Sequence, residues 1–161
     1  MERAADVSVI LDGNDGQGPL LLGRFPEEPE WLVLDRHRAQ EGLAVVSLTI
    51  EVPLQFPCWF HQPGTVVAWF PARDAPDPSQ TSEWLALVAD TIHTLRQTGR
   101  AVYVHCVEGQ SRSAAAVAAY LIRHQKMEAE AARRWIAARR PVRIQHHFWE
   151  LLHQLKPGGN P

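Results

Sequence analysis

The segment from His105 to Ser113 reads HCVEGQSRS and combines residue types that suit chemistry on phosphate. It contains Cys106, one of only two cysteines in the chain, and Arg112 follows six residues later. A thiolate is a strong nucleophile, and the planar guanidinium of arginine matches the oxygens of a phosphate group. Gly109 lies between them and permits a tight backbone turn. This combination and spacing point to nucleophilic attack on phosphorus.

The neighbouring elements must place these residues at one edge of a sheet. The apolar run Ala101–His105 predicts a buried strand, and the alanine-rich run Ser113–Gln125 predicts a helix. Backbone N–H groups between a strand and a helix, together with the helix dipole, bind anions and stabilise a thiolate. The residues expected to form this anion-binding loop are Val107, Glu108, Gly109, Gln110 and Ser111.

Strands and helices alternate along the rest of the chain. Apolar patterning predicts further strands at Val7–Leu11, Leu20–Phe25, Leu43–Leu48 and Thr65–Phe70. Further helices are predicted at Glu28–Gln40, Ser79–Gln97, Glu128–Arg139 and Gln145–Lys156, and Pro53–Pro63 is expected to be irregular. The alternation predicts an α/β fold, a single domain over residues 1–161 with a central, mostly parallel sheet flanked by helices on both faces.

Composition restricts the class of protein. With 161 residues, 45% hydrophobic residues and a formal net charge of -2, the chain has no strongly basic field, so a nucleic-acid partner is not expected. Cys58 and Cys106 cannot build a disulfide framework, which favours a reducing compartment. The first residues resemble neither a signal peptide nor a membrane span. We therefore expect a cytoplasmic protein without an integral membrane segment, and its oligomeric state stays open.

The central segment matches a known signature. It follows the pattern His-Cys-x-x-Gly-x-Ser-Arg-Ser and resembles the cysteine-dependent protein-tyrosine phosphatase superfamily, particularly its dual-specificity branch. The likeness extends through Tyr120–Pro141 and, more faintly, to LLLGRFP near the start and to Val45–Pro53. It implies a protein-tyrosine phosphatase-like fold and a phosphocysteine intermediate, with no cofactor. No metal is expected either, because the histidines lack the spacing of zinc ligands.

The resemblance also implies a role for each residue of the segment. Cys106 is expected to be the nucleophile and Arg112 to hold the phosphate. Ser113 is expected to donate a hydrogen bond to the sulfur as it leaves. His105 is expected to support the loop through a backbone contact.

The resemblance further implies a general acid upstream, in the sequence WFPARDAPDPS, to protonate the leaving oxygen. Asp74 and Asp77 both compete for this role. Asp77 precedes Pro78 and a helical pattern, so it fits the N-cap of that helix, with proline at the first helical position. The resemblance implies an acid at the position of Asp74, after Phe70-Pro71-Ala72-Arg73, so Asp74 is favoured over Asp77.

The sequence supports less specific predictions for several other residues. Cys58 is most simply a small, buried apolar residue, although the resemblance allows a regulatory disulfide with Cys106. Glu51 is a candidate to brace a loop near the site. Five arginines at helical spacing are expected to form one solvated face rather than an anion-binding patch: Arg133, Arg134, Arg139, Arg140 and Arg143.

The substrate is predicted from the charge of the loop. Val107–Ser111 holds one acidic and no basic residue, which disfavours a polyphosphorylated head group. The main expectation is hydrolysis of phosphotyrosine, and of phosphoserine or phosphothreonine, in proteins. Pro71–Asp74 and Leu21–Arg24 also resemble the phosphatidylglycerophosphate phosphatase group, so a singly phosphorylated lipid is an alternative substrate. A catalytically weak phosphate-binding module is a further alternative, and a sulfurtransferase is a weaker one.

Overall fold

The computed structural model describes residues 3–157. Its strands are β1 (Val7–Leu11), β2 (Leu20–Gly23), β3 (Leu43–Ser47), β4 (Val66–Trp69) and β5 (Ala101–His105). Its α-helices are α1 (Glu28–Glu41), α2 (Ser82–Gln97), α3 (Arg112–His124), α4 (Ala129–Ala137) and α5 (His146–Gln154). A 3-10 turn, Cys58–His61, lies in the segment expected to be irregular.

The five strands form one sheet in the order β1-β2-β5-β3-β4. β1 runs antiparallel to β2, and the other neighbouring pairs are parallel, which confirms a mostly parallel sheet. β5 occupies the centre, where His105 pairs with Gly23 on one side and Ser47 on the other. Cys106 therefore leaves the sheet at the middle of its carboxyl edge, where ligands bind in folds of this class.

Helices cover both faces of the sheet, as predicted. Every residue of β2, β3 and β5 is buried, which explains their continuous apolar sequences. Alternate side chains point to opposite faces: Tyr103 packs with Trp31 and Leu34 of α1, whereas Val104 packs with the core formed by α2 to α5. Within residues 3–157, no helix is both long and apolar enough to cross a membrane.

Most element boundaries differ from the sequence-based expectation by one to three residues, and hydrogen bonds explain two of these differences. α2 begins at Ser82, because Thr81 Oγ1 accepts a hydrogen bond from the Trp84 backbone N–H at 3.1 Å. The expected start at Ser79 is therefore wrong. β2 ends at Gly23 rather than Phe25, because the Phe25 N–H leaves the sheet and donates to the Val107 carbonyl at 2.9 Å. This bond joins the end of β2 to the loop after β5.

Candidate active site

Cys106 lies at the base of a pocket of about 320 Å³ above the carboxyl edge of the sheet. The thiol is only 3% exposed, and its Sγ lies 3.0 Å from Ser113 Oγ in the first turn of α3. The pocket collects seven of the residues predicted to act on or bind the substrate: Asp74, Cys106, Val107, Glu108, Gln110, Ser111 and Arg112. It is also lined by Glu51, which was expected near the site, by Arg143, which was expected on a solvated face, and by Gln145.

Arg112 is held in a fixed orientation beside Cys106. Its Nη1 and Nη2 donate to the two carboxylate oxygens of Glu51 at 2.6 and 2.8 Å, and Nη1 also donates to the Ala72 carbonyl at 2.8 Å. The Arg112 guanidinium in turn lowers the pKa of Glu51 to about 2. Glu51 thus braces the arginine itself, a more direct role than support of a loop.

One edge of this guanidinium stays free. A guanidinium carries five N–H groups, and Glu51 and Ala72 account for three of them. Arg112 Nε is buried and has no partner within the described residues. The edge formed by Nε and the second Nη2 hydrogen is therefore left to bind a ligand, and its two parallel N–H groups match two oxygens of a phosphate.

The two candidate acids lie in different surroundings. Asp74 lines the pocket, and its Oδ1 accepts a hydrogen bond of 2.7 Å from Ser111 Oγ. Asp77 Oδ1 instead accepts hydrogen bonds from the backbone N–H and hydroxyl of Ser79 at 2.9 and 2.7 Å. Its placement as the helix N-cap is wrong, since Thr81 has that position. Its carboxylate nevertheless faces the local backbone and not the pocket.

Three further residues of the signature lie outside the lining. Ser113 lies behind the thiol. His105 is fully buried, and its Nδ1 lies 3.0 Å from the Cys106 carbonyl, which is the expected backbone contact. Burial lowers the pKa of His105 to about 4, so the imidazole is neutral. Gly109 adopts φ 71°, and an added Cβ would lie 2.5 Å from the Gly23 carbonyl group.

Arg140 is the main functional-site residue that sequence reasoning misassigned. It was expected on a solvated face, but it is 5% exposed and lies beneath the loop. Its Nε donates to the Gly109 carbonyl at 2.9 Å and its Nη2 to the Glu108 carbonyl at 3.2 Å. Nη1 donates to the Leu22 carbonyl, and both terminal nitrogens lie 3.1 Å from the Asp6 carboxylate. Arg140 thus connects the loop with β2 and the N-terminal segment.

Arg143 and Gln145 were also missed as pocket residues. The Arg143 N–H donates to the Gln110 carbonyl at 2.8 Å, and the Gln145 N–H donates to Ser111 Oγ at 3.1 Å. The segment between α4 and α5 therefore forms one wall of the pocket through its backbone. No sequence pattern marks this wall, because the contacts are made by peptide groups.

The two cysteines are free thiols in this structure. Cys58 is exposed in the 3-10 turn, so its expected burial is wrong, whereas Cys106 is buried. A redox link between them stays a prediction.

The family model "Dual specificity phosphatase, catalytic domain" matches residues 34–157. The chain belongs to this family. The family resemblance inferred from the signature is thereby confirmed.

Curated members of the family are similar over much of the chain. Mouse dual specificity protein phosphatase 14 is 34% identical over 134 residues, which are 83% of this chain and 63% of the mouse protein. Human dual specificity protein phosphatase 21 is 37% identical over 110 residues, 68% of this chain and 55% of the human protein. The chain therefore spans less than two thirds of the length of these relatives.

The fold is also that of solved phosphatase structures. A crystal structure of PTPMT1 in complex with PI(5)P superposes with a TM-score of 0.71 at 24% identity, covering 92% of each chain. At this identity the likeness shows the fold, and it agrees with the predicted protein-tyrosine phosphatase-like architecture.

Proposed function

We propose that this chain hydrolyses phosphomonoesters through a phosphocysteine intermediate, with phosphotyrosine in proteins as the main substrate and phosphoserine or phosphothreonine accepted as well. One observation carries the proposal: the Cys106 thiol, the free edge of Arg112 and the Asp74 carboxylate line the same pocket. Membership in the dual-specificity family supports the same chemistry. The free cysteines support a cytoplasmic location.

In the first step, the Cys106 thiolate attacks phosphorus in line with the leaving oxygen. An S–P bond forms as the P–O bond breaks, and Asp74 supplies the proton that the leaving oxygen needs. The free edge of Arg112 and the N–H groups of the loop from Val107 to Ser111 hold the equatorial oxygens, where charge is concentrated in the transition state.

In the second step, water displaces the sulfur. Asp74, now a carboxylate, takes a proton from the water, and the S–P bond breaks to release inorganic phosphate. Ser113 Oγ, 3.0 Å from Sγ, donates a hydrogen bond to the departing thiolate. Because the cycle needs a thiolate and a protonated acid together, its rate is expected to give a bell-shaped pH profile on the acid side of neutrality.

Hydrolysis of p-nitrophenyl phosphate tests the proposal. Cys106→Ser should abolish turnover, and Cys58→Ser, which changes the other free thiol, should retain it. Asp74→Asn should reduce turnover of alkyl phosphates far more than that of aryl phosphates, because aryl leaving groups need less protonation. Asp77→Asn is the matched control for the acid. Wild-type turnover by Cys106→Ser would refute the mechanism.

A phospholipid is the second candidate substrate. The PTPMT1 structure, which shares the fold, holds PI(5)P, and this supports a singly phosphorylated lipid as a ligand that such a fold accommodates. A phosphate-binding module without catalysis is distinguished by the same assay, because it would bind phosphate and release no p-nitrophenol.

A further inference from the structure

A second and larger cavity opens beside the catalytic pocket. This aromatic groove has a volume of about 730 Å³ and lies between the start of α1 and the segment that precedes the 3-10 turn. Its apolar walls are formed by Phe25, Trp31, Leu32, Val52, Phe56 and Trp59. The phosphatase chemistry proposed above uses none of these side chains.

The walls of the groove adjoin those of the catalytic pocket at two points. Phe25 donates its backbone N–H to the Val107 carbonyl of the anion-binding loop, and its ring contacts His105 edge-on at 5.7 Å. On the opposite wall, Val52 directly follows Glu51, whose carboxylate braces Arg112. A molecule whose phosphate occupies the catalytic pocket therefore meets the groove as it leaves that pocket.

The rim of the groove leaves large apolar side chains uncovered. Leu32 on α1 is 59% exposed, and Val52 on the facing segment is 47% exposed. Behind them, aromatic rings pack against one another at the base of the groove: the ring centroid of Trp31 lies 6.0 Å from that of Phe56 and 5.8 Å from that of Trp59. Exposed apolar patches of this kind mark binding sites for apolar groups.

The charges at the rim decide between possible occupants. Glu27 is paired with Arg24 at 2.7 Å, and Asp35 is paired with Arg38 at 2.8 Å. Glu28 is exposed at the groove and forms no ion pair within residues 3–157. Arg24 and Arg38 are therefore committed, Arg36 lines the neighbouring cavity and not the groove, and one of the three carboxylates that line the groove is free. Such a rim repels an anionic lipid surface and attracts a lysine or arginine side chain.

We propose that the aromatic groove binds the residues next to the phosphorylated residue of a protein substrate, and that it selects an apolar side chain together with a basic one. This inference rests on the proposed function and specifies its substrate class. Neighbouring residues of an extended peptide advance by ~3.3 Å each, so positions one to three residues from the phosphotyrosine extend up to ~10 Å from the catalytic pocket, over the groove that adjoins it. The apolar side chain covers Leu32 and Val52, and the basic one pairs with Glu28.

Two matched phosphotyrosyl peptides test the selection. One carries leucine and lysine within three residues on both sides of the phosphotyrosine, and the other carries serine and glutamate at the same positions. We expect kcat/KM to favour the first peptide about tenfold or more, since one large apolar side chain becomes buried. Leu32→Ser should remove most of this preference.

A charge exchange tests the ionic contact directly. Glu28→Gln should lower kcat/KM for the lysine peptide about two- to fivefold, the range of an exposed ion pair. Glu28→Lys should shift the preference towards the glutamate peptide, which a general loss of structure would not do. Leu87→Ser changes a leucine that is 56% exposed on α2, and it should leave both peptides unaffected.

The outcomes separate the two proposals. If p-nitrophenyl phosphate is not hydrolysed, the proposed phosphatase function fails. If it is hydrolysed but both peptides react equally, the groove proposal is overturned. Faster hydrolysis of phosphatidylglycerophosphate in phosphatidylcholine vesicles, lost in Leu32→Ser, would assign the groove to an acyl chain instead. Concentration-dependent self-association that is lost in Leu32→Ser, without peptide preference, would assign it to a second copy and also overturn the proposal.

Discussion

Replacing Arg140 with methionine is expected to damage both the stability of the fold and the binding of phosphate. Methionine has a similar length but no donors, so it leaves three backbone carbonyls of the loop and β2 without their partner. An unsatisfied buried group costs about 1–3 kcal/mol, so the expected loss is about 3 kcal/mol or more. For a chain of this size, that loss corresponds to a melting temperature about 10 °C lower.

The effect on phosphate follows from the geometry of the peptide group. In a trans peptide, C=O and N–H point in opposite directions. The Glu108 and Gly109 carbonyls point to the Arg140 guanidinium, so the N–H groups of Gly109 and Gln110 point to the opposite side, towards the anion. Loss of one such charge-assisted hydrogen bond, worth about 1.5–3 kcal/mol, should raise the inhibition constant for inorganic phosphate roughly 10- to 100-fold.

Competitive inhibition by phosphate and thermal melting should therefore be measured on the same variants. Arg140→Lys retains the charge facing Asp6 but not the planar fork, so it should recover part of the stability and still bind phosphate weakly. Arg134→Met, an exposed arginine on α4, is the matched control. Unchanged melting temperature and phosphate inhibition in Arg140→Met would refute the reasoning.

Three more expectations concern the loop and its support. Gly109→Ala should abolish turnover and phosphate inhibition, because its Cβ would lie 2.5 Å from the Gly23 backbone. Glu51→Gln should lower kcat/KM about tenfold on p-nitrophenyl phosphate, because the amide no longer braces Arg112 with two acceptors. Burial lowers the pKa of His105 from 6.5 to about 4. As the pH falls from 6.5 to 4, the unfolded chain binds a proton at this residue that the folded chain does not bind, so urea titrations should show that about 3 kcal/mol of stability is lost over this range.

Matched variants separate these effects from general damage. Gly16 also has a positive φ, but an added Cβ would meet open space, so Gly16→Ala should leave turnover unchanged. His105→Asn should flatten the pH dependence of stability, whereas the exposed His146→Asn should keep it. A wild-type slope in His105→Asn would assign the pH dependence to other groups. Glu83→Gln, an exposed carboxylate on α2, controls for Glu51→Gln.

Local patterns in the sequence are enough to predict most elements of the fold. The continuous apolar runs of β2, β3 and β5 reflect burial on both faces of the sheet, and the helix patterns match α1 to α5 within a few residues. The strand order could not be predicted, because the partners of β5 lie about 55 to 85 residues earlier in the chain. The start of α2 was missed because Asp77 and Thr81 are both good N-caps, and hydrogen bonding selects between them.

The candidate site is likewise only partly predictable from the sequence. Cys106, Arg112 and the loop between them are contiguous in sequence, so their grouping is visible there. Glu51 and Arg140 reach the site through tertiary structure alone. Arg140 did carry a signal, because the buried residues of α4 and its end continue onto it at helical spacing: Ala129, Ala132, Ile136 and Arg140. A charged residue at the next position of this buried helix face indicates that its charged group has a buried hydrogen-bond or ion-pair partner.

The central position of β5 has a consequence for the order of events during synthesis. β2 and β3 leave the ribosome before β5, so each waits with an unpaired edge until Ala101–His105 is made. The strand that completes the sheet is also the one that directly precedes Cys106. A nascent chain therefore acquires its central strand and the candidate nucleophile at the same stage of synthesis.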